Sequence, residues 1–361
     1  MTRHLAGHGM EIGLLKRLCD APGVSGAEDE VRVIAAEALG PLVDELSVDP
    51  MGNLIGIRHG TGPKVMVAAH LDEIGFRVSH VDDKGFLRLM GVGGQWLETI
   101  ENQRVVVNGR RRLPGVLFRE GGWLRADALS SSDTGPRKMD DYYVDLGLPR
   151  EKVVEWVGIG DPVTMDRHAV DMGDMVCAKA LDDRAGVFAM IEALRKLGKH
   201  EAEIYAVGSV QEEVGCRGAK VAAYGLSPDV AIAIDVCPAR DTPGFQEHEY
   251  IAALGKGVAL TISDAGTIAD SALVESVRGI AQSRGIPFQI HAVTHVGGTD
   301  ASAMHVTRAG VPAMTLSIPT RCLHTSSEVA HRSDISACSE LLAAFLGAAH
   351  RAAAGAARRI K

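Results

Sequence analysis

The chain has 361 residues, 46% of them hydrophobic and only 4% aromatic, with a formal net charge of −8. That length holds one large domain or two ordinary ones, with a core built mainly of Ala, Val, Leu and Ile. The moderate negative charge argues against a nucleic-acid surface, no apolar run is long enough to span a membrane, and six scattered cysteines without a CxxC pair read as free thiols.

The first residues lack a continuous apolar segment and a small-residue cleavage site, so the expected location is cytoplasmic. "GMEIGLLKRLCDAPGVSGAEDEVRVIAAEAL" predicts two helices around a Pro-Gly turn. Ser25 and Glu28 have capping-box spacing for the second helix. "NLIGIRHG" and "KVMVAAHLDEIGF" predict strands separated by the turn "GTGP".

From about Phe76 the pattern changes to alternation and turns, with Asn108-Gly109 marking a hairpin, and helical periodicity returns only at "REKVVEWVG". Beyond about Met172, strands such as "AEIYAVGSV" and "DVAIAIDV" alternate with helices such as "DDRAGVFAMIEALRKLG", and "SDISACSELLAAFLGAAHRAAAG" closes the chain as a long helix. The expectation is an α/β fold, a mostly parallel sheet with helices on both faces, formed by residues 1–75 and 173–361. Residues 76–172 interrupt it as an inserted β-rich, barrel-like domain.

Open α/β sheets bind ligands beyond the carboxyl ends of their strands, and the informative polar residues stand there. His70 and Asp72, two apart in "AAHLDEIG", share a face, and a ligating histidine needs its other ring nitrogen held, commonly by a carboxylate. Asp182 and Asp183 precede a helix. One of them fits an N-cap and the second is left for another role. Glu212 and Glu213 in "QEEVGCRGA" are either a solvated pair or two halves of a site, one binding metal and the other serving as a base. Asp235 ends an apolar strand, where an unpaired carboxylate is costly. His324 lies in the loop "IPTRCLH" and alone would say little. Together these His, Asp and Glu residues form a donor set for hard divalent ions or zinc, with room for a two-ion site.

"HLDEIGF", "KALDDRAG", "QEEVGCRGA", "DVCPARDTPG", "GGTDA" and "IPTRCLH" occur in the order and spacing of the M42 family of metallo-aminopeptidases, which the chain resembles over nearly its whole length. The resemblance implies two divalent ions per subunit, Zn2+ or Co2+. His70, Asp182 and Asp235 would hold one, Asp182, Glu213 and His324 the other, with Asp182 bridging. Glu212 would be the general base and Asp72 the partner that orients His70. It further implies a cis peptide after Asp182, a dimerising insertion, and a homo-oligomer of dimers that reaches a tetrahedral dodecamer in some members.

The implied reaction is hydrolysis of the N-terminal residue of peptide substrates by metal-activated water. A deacylase on the same scaffold and a non-catalytic assembly protein are the alternatives. The N-terminal side chain would meet loops carrying His295, Asp300, Arg321 and Glu247, whose mixed charges leave its identity open. Cys216, Cys237 and Cys322 read first as small buried fillers, with extra metal affinity or oxidative sensitivity as the alternative.

Overall fold

The computed structural model describes residues 12–121, 136–249, 252–293 and 297–356. Its helices are α1 (Gly13–Asp20), α2 (Asp29–Leu39), α3 (Arg150–Trp156), α4 (Leu181–Lys196), α5 (Arg217–Leu226), α6 (Ser271–Arg284), α7 (Asp300–Met304) and α8 (Arg332–Ala356). The first nine strands are β1 (Glu45–Val48), β2 (Leu54–Arg58), β3 (Lys64–His70), β4 (Gly75–Val81), β5 (Leu87–Val92), β6 (Gln103–Asn108), β7 (Arg112–Arg119), β8 (Tyr142–Asp145) and β9 (Pro162–Met165). The remaining strands are β10 (Val170–Met172), β11 (Met175–Ala178), β12 (Glu203–Ser209), β13 (Val230–Pro238), β14 (Val258–Ser263), β15 (Phe288–Ala292), β16 (Ala313–Arg321) and β17 (Glu328–His331).

The large sheet is centred on β12, β3, β13 and β16, which lie side by side in parallel. Their carboxyl ends therefore open along one edge. Alternation along β3 explains why both faces are covered. Val65, Val67 and Ala69 pack into the core that holds α1, α2, α4 and α8, while Met66 and Ala68 pack with Ala219, Ala222 and Ala223 of α5 and Met304 of α7. A strand buried on both faces has no room for polar alternation, which is why "VMVAA" is apolar throughout.

The other body is a closed barrel in the order β4-β5-β8-β7-β6-β9. Phe76, Val78, Leu89, Val105, Val107, Leu117, Val144 and Val163 fill its interior. The expected hairpin is present, with Val107 opposite Leu113 and Asn108 opposite Arg112. β10 lies outside the barrel and pairs with β11 in the large sheet. Among the described residues, no helix is long and apolar enough to cross a membrane.

One local expectation fails. The N-cap of α2 is Glu28, without a side-chain cap, so Ser25 and Glu28 do not form a capping box. Ser25 Oγ donates instead to Asp72 Oδ2 at 2.6 Å, and Glu28 Oε1 accepts from the Gly26 N–H at 2.6 Å and the Gln211 N–H at 3.2 Å. Both side chains are drawn into polar contacts around the site, which outcompete a local cap.

Candidate metal centre

His70 closes β3 and is 1% exposed. Its Nδ1 lies 3.1 Å from the Asp72 carbonyl oxygen and 3.5 Å from Asp72 Oδ1, and its Nε2 lies 3.0 Å from Asp182 Oδ1. The same Nε2 is 4.0 Å from Asp235 Oδ1 and 3.9 Å from Glu212 Oε2. Asp182 Oδ2 faces the other way, 3.2 Å from His324 Nε2, which is itself 3.6 Å from Glu213 Oε2. One carboxylate thus stands between two groups of donors.

The two adjacent aspartates divide their work at the start of α4, across a cis Asp182–Asp183 peptide. Asp183 Oδ1 accepts from the Gly186 N–H at 3.0 Å as a helix cap, and its Oδ2 accepts from the His70 N–H at 3.2 Å. Asp182 is left facing the histidines. Its own N–H donates to Glu328 Oε2 at 3.0 Å.

Asp72 does more than face His70. Its Oδ1 accepts from the Glu212 N–H at 3.0 Å, and its Oδ2 from the Glu213 N–H at 3.1 Å. One buried carboxylate therefore aims the backbone of both glutamates. Asp235 lies within β13, three residues before its end at Pro238, and is 5% exposed.

Burial dominates the electrostatics. It raises the carboxyls of Glu213, Asp235 and Asp183 well above their ordinary range, and neighbouring carboxylates add to the effect. Glu212 is pushed up to about 7 by burial, although His70 pulls it down. Burial lowers His324, but its hydrogen bond to Asp182 and the charges of Asp182 and Glu213 outweigh that and lift it to about 10. His70 is held well above its ordinary value against burial by Asp182 and Asp72. Burial also works upward on Asp182, yet the two histidines hold it below the usual carboxylate range.

The donor set fits divalent cations. Two imidazoles face a crowd of carboxylates, too few to neutralise it, and Glu213 Oε1 is buried with no hydrogen-bond partner among the described residues. Buried acceptors of this kind need a cation or a proton. Ligating atoms of His70, Asp182 and Glu213 lie within 4.8 Å of one another, as do those of His70, Asp183 and Asp235. Imidazole nitrogen and carboxylate oxygen suit zinc, cobalt and manganese.

Sequence reasoning missed several supports. Glu328, 2% exposed, holds the Asp182 N–H with one oxygen and the His324 N–H with the other, at 3.0 and 2.9 Å. Its signal was a carboxylate opening the short strand "EVAH", just after the loop that carries His324. Glu73 and Lys179 form a buried pair at 2.8 Å that fastens "HLDE" to "KALDD", and Glu73 also accepts from the Gly23 N–H at 3.0 Å. From the barrel side, the Gly94 carbonyl oxygen lies 2.7 Å from His324 Nδ1. The glycine pair in "GVGGQW" was its trace: a Cβ on Gly93 would sit 3.1 Å from Glu213 Oε2, and one on Gly94 would sit 3.2 Å from His324 Nδ1.

The loop residues offered for substrate selection do not act alike. Arg321 is engaged by Asp241 through two contacts of 2.7 and 2.8 Å. Asp300 is 2% exposed and accepts from Ser209 Oγ. His295 and the side chain of Glu247 lie outside the described part. Of the three nearby cysteines only Cys237 is a buried filler, since Cys322 is exposed and Cys216 is partly exposed and bonded to Glu212 Oε1 at 3.2 Å.

The family model described as M42 glutamyl aminopeptidase matches residues 52–341, the stretch that carries His70, Asp72, Asp182, Glu212, Glu213, Asp235 and His324. The chain belongs to the M42 peptidase family. As an M42 peptidase it is similar to a lysyl aminopeptidase of Pyrococcus furiosus, 36% identical over 340 residues that cover 92% of this chain and 96% of that one. Among solved structures it is similar to the aminopeptidase APDkam598 from the archaeon Desulfurococcus kamchatkensis. That match has a TM-score of 0.91 and 38% identity, and covers 97% of this chain and 98% of that one. It is also similar to the TET1 peptidase of Pyrococcus horikoshii, which assembles into a tetrahedron or a large octahedral shell. Here the TM-score is 0.82 and the identity 31%, over 93% of this chain and 98% of that one. This M42 chain is a peptide hydrolase, and its fold is the α/β sheet and barrel of the TET peptidases.

Proposed function

We propose that the centre removes the N-terminal residue of peptides with two divalent ions, Zn2+ or Co2+, and Glu212 as the proton carrier. The observation that carries this reading is the split of Asp182, with one oxygen 3.0 Å from His70 Nε2 and the other 3.2 Å from His324 Nε2. His70, Asp182 and Asp235 would hold one ion, and Asp182, Glu213 and His324 the other. Bound ions supply Lewis acidity, which polarises the scissile carbonyl and lowers the pKa of water.

The chain's own residues do the rest. Glu213 Oε1 is aimed with no protein partner among the described residues, which suits a ligand. Glu212 is held in place through its N–H by Asp72, and its carboxyl lies near neutrality from burial. Bound cations would pull that value down, so Glu212 would enter the cycle ionised, take the proton from the attacking water and return it to the leaving amine. Asp72 is a positioning residue that fixes His70 and the glutamate pair together.

The test is Glu212→Gln. Its bound metal should match the parent protein while turnover falls by about a hundredfold to ten-thousandfold. Turnover near the parent level with full metal content would sink the proton-carrier role. The barrel is proposed as the dimerising insertion and the assembly as a shell of dimers, supported by the tetrahedral and octahedral shells of the TET1 peptidase. Scattering or mass measurement of the purified protein decides it, and a monomer at micromolar concentration would contradict it.

A further inference from the structure

The Glu212 carboxylate has a second set of neighbours that the proposed hydrolysis does not use. Cys216 Sγ lies 3.2 Å from Glu212 Oε1, 3.5 Å from the Thr299 carbonyl oxygen and 3.5 Å from Ser302 Oγ. Asp300, at the start of α7, joins them: one ligating atom from each of Glu212, Cys216 and Asp300 lies within 4.8 Å of the other two. Ser209 Oγ donates to Asp300 Oδ2, while Asp300 Oδ1 is buried with no hydrogen-bond partner among the described residues. A buried carboxylate oxygen without a partner is destabilising, and a cation relieves it. A thiolate with two carboxylates is a zinc or cadmium donor set. Tetrahedral zinc holds a sulfur and an oxygen ligand about 3.5 Å apart, close to the Cys216–Glu212 separation.

We propose that Glu212, Cys216 and Asp300 form a third, inhibitory site for a thiophilic divalent cation, zinc or cadmium. Its inhibitory consequence rests on the reading of Glu212 as proton carrier. Its existence does not. Cys216 and Glu212 are partly exposed, so an ion reaches them from solvent. On binding, the Cys216 S–H bond is replaced by a sulfur–metal bond and the proton passes to solvent, with nothing oxidised or reduced. The Glu212 carboxylate is then tied to the cation and no longer free to take a proton. A leucine or alanine at position 216 would leave only the two carboxylates, so the thiol decides which ions the site prefers.

The experiment titrates the metal-loaded enzyme with cadmium, following thiolate-to-cadmium charge-transfer absorption, total bound metal and turnover. Each rate is normalised to the same protein without cadmium. The parent protein should show the band, bind one more ion per chain than Cys216→Ser, and lose turnover as the band grows. Cys322→Ser should behave as the parent. Cys216→Ser and Cys216→Ala should lack the band and need about tenfold more cadmium or more for the same inhibition, and Asp300→Asn should shift in the same direction. Melting curves confirm that the variants fold. A band that survives both Cys216 variants, or no extra ion in the parent, overturns the site. A band without loss of turnover overturns its inhibitory character. Parent-level turnover in Glu212→Gln would remove the proton-carrier reading alone, leaving the band and the ion count to decide the site.

Discussion

The sheet and the barrel contribute to the centre in different currencies. Every side chain proposed for the centre comes from the sheet body: His70, Asp182, Glu212, Glu213, Asp235 and His324. The barrel body offers a backbone oxygen, that of Gly94, to the ring of His324. The difference follows from architecture. Parallel strands end together on one edge, so residues far apart in sequence converge there. A closed antiparallel barrel has no such edge, and its interior is filled with Val, Leu and Phe. What this teaches is that the sheet supplies the charged groups while the barrel supplies register, placing a loop against His324, the most exposed of the proposed ligands.

The comparison breaks most visibly if the sheet's buried charges are not a connected frame. Lys179→Met strips the buried Glu73 of its nearest cation, leaving it the Gly23 N–H and Arg184 at 3.9 Å, and should cost about 3–5 kcal/mol in a denaturant titration. A loss below about 1 kcal/mol would mean that the frame is not held by that pair. Next in size is the barrel's contribution. Gly94→Ala pushes a methyl against His324 and should weaken metal binding by about tenfold to a hundredfold, with little change in the metal-free melting temperature. Unchanged affinity would make the Gly94 contact incidental.

The pH response sharpens the same contrast. In the metal-free protein Glu328 is raised from 4.5 to about 8 by burial, and His324 from 6.5 to about 10 by its carboxylate neighbours. Both bind protons more tightly folded than unfolded. Stability from Glu328 is therefore lost as pH rises from 4.5 through about 8, and that from His324 between 6.5 and about 10. On the proposed ligand set, metal would displace the His324 proton, so affinity should rise with pH. The gap in melting temperature between metal-loaded and chelated protein should widen from about pH 6 to about pH 9. A constant gap would mean that His324 carries no proton to displace. The smallest effect belongs to the exposed Arg112–Glu30 pair, which ties the barrel hairpin to α2. Arg112→Ala should shift stability by about 1 kcal/mol or less and leave metal affinity alone. A larger change would make the surface, not the Gly94 contact, the tie between the bodies.

Much of this was legible in the sequence because each signal is local. Apolar runs of strand length, helical periodicity and Asn108-Gly109 mark elements within a few residues, and six short motifs in order mark the family. Asp235 stood out as a charge on an apolar strand, where an unpaired carboxylate is unfavourable, and His70 as a polar group at a strand end, while Asp182, Glu213 and His324 gained meaning only together with them. The capping box at Ser25 failed because a local rule met a long-range competitor, Asp72. Tertiary packing alone decided the rest. It determined that Asp183 caps α4 while Asp182 turns its two oxygens to two histidines. It set Glu328, Lys179 and the Gly94 carbonyl behind the proposed ligands. It brought Cys216 and Asp300 to the far side of Glu212. Sequence spacing fixes which face a residue takes on its own strand or helix, but distances between strand ends depend on sheet order and on how each loop packs, and those exist only once the chain has folded.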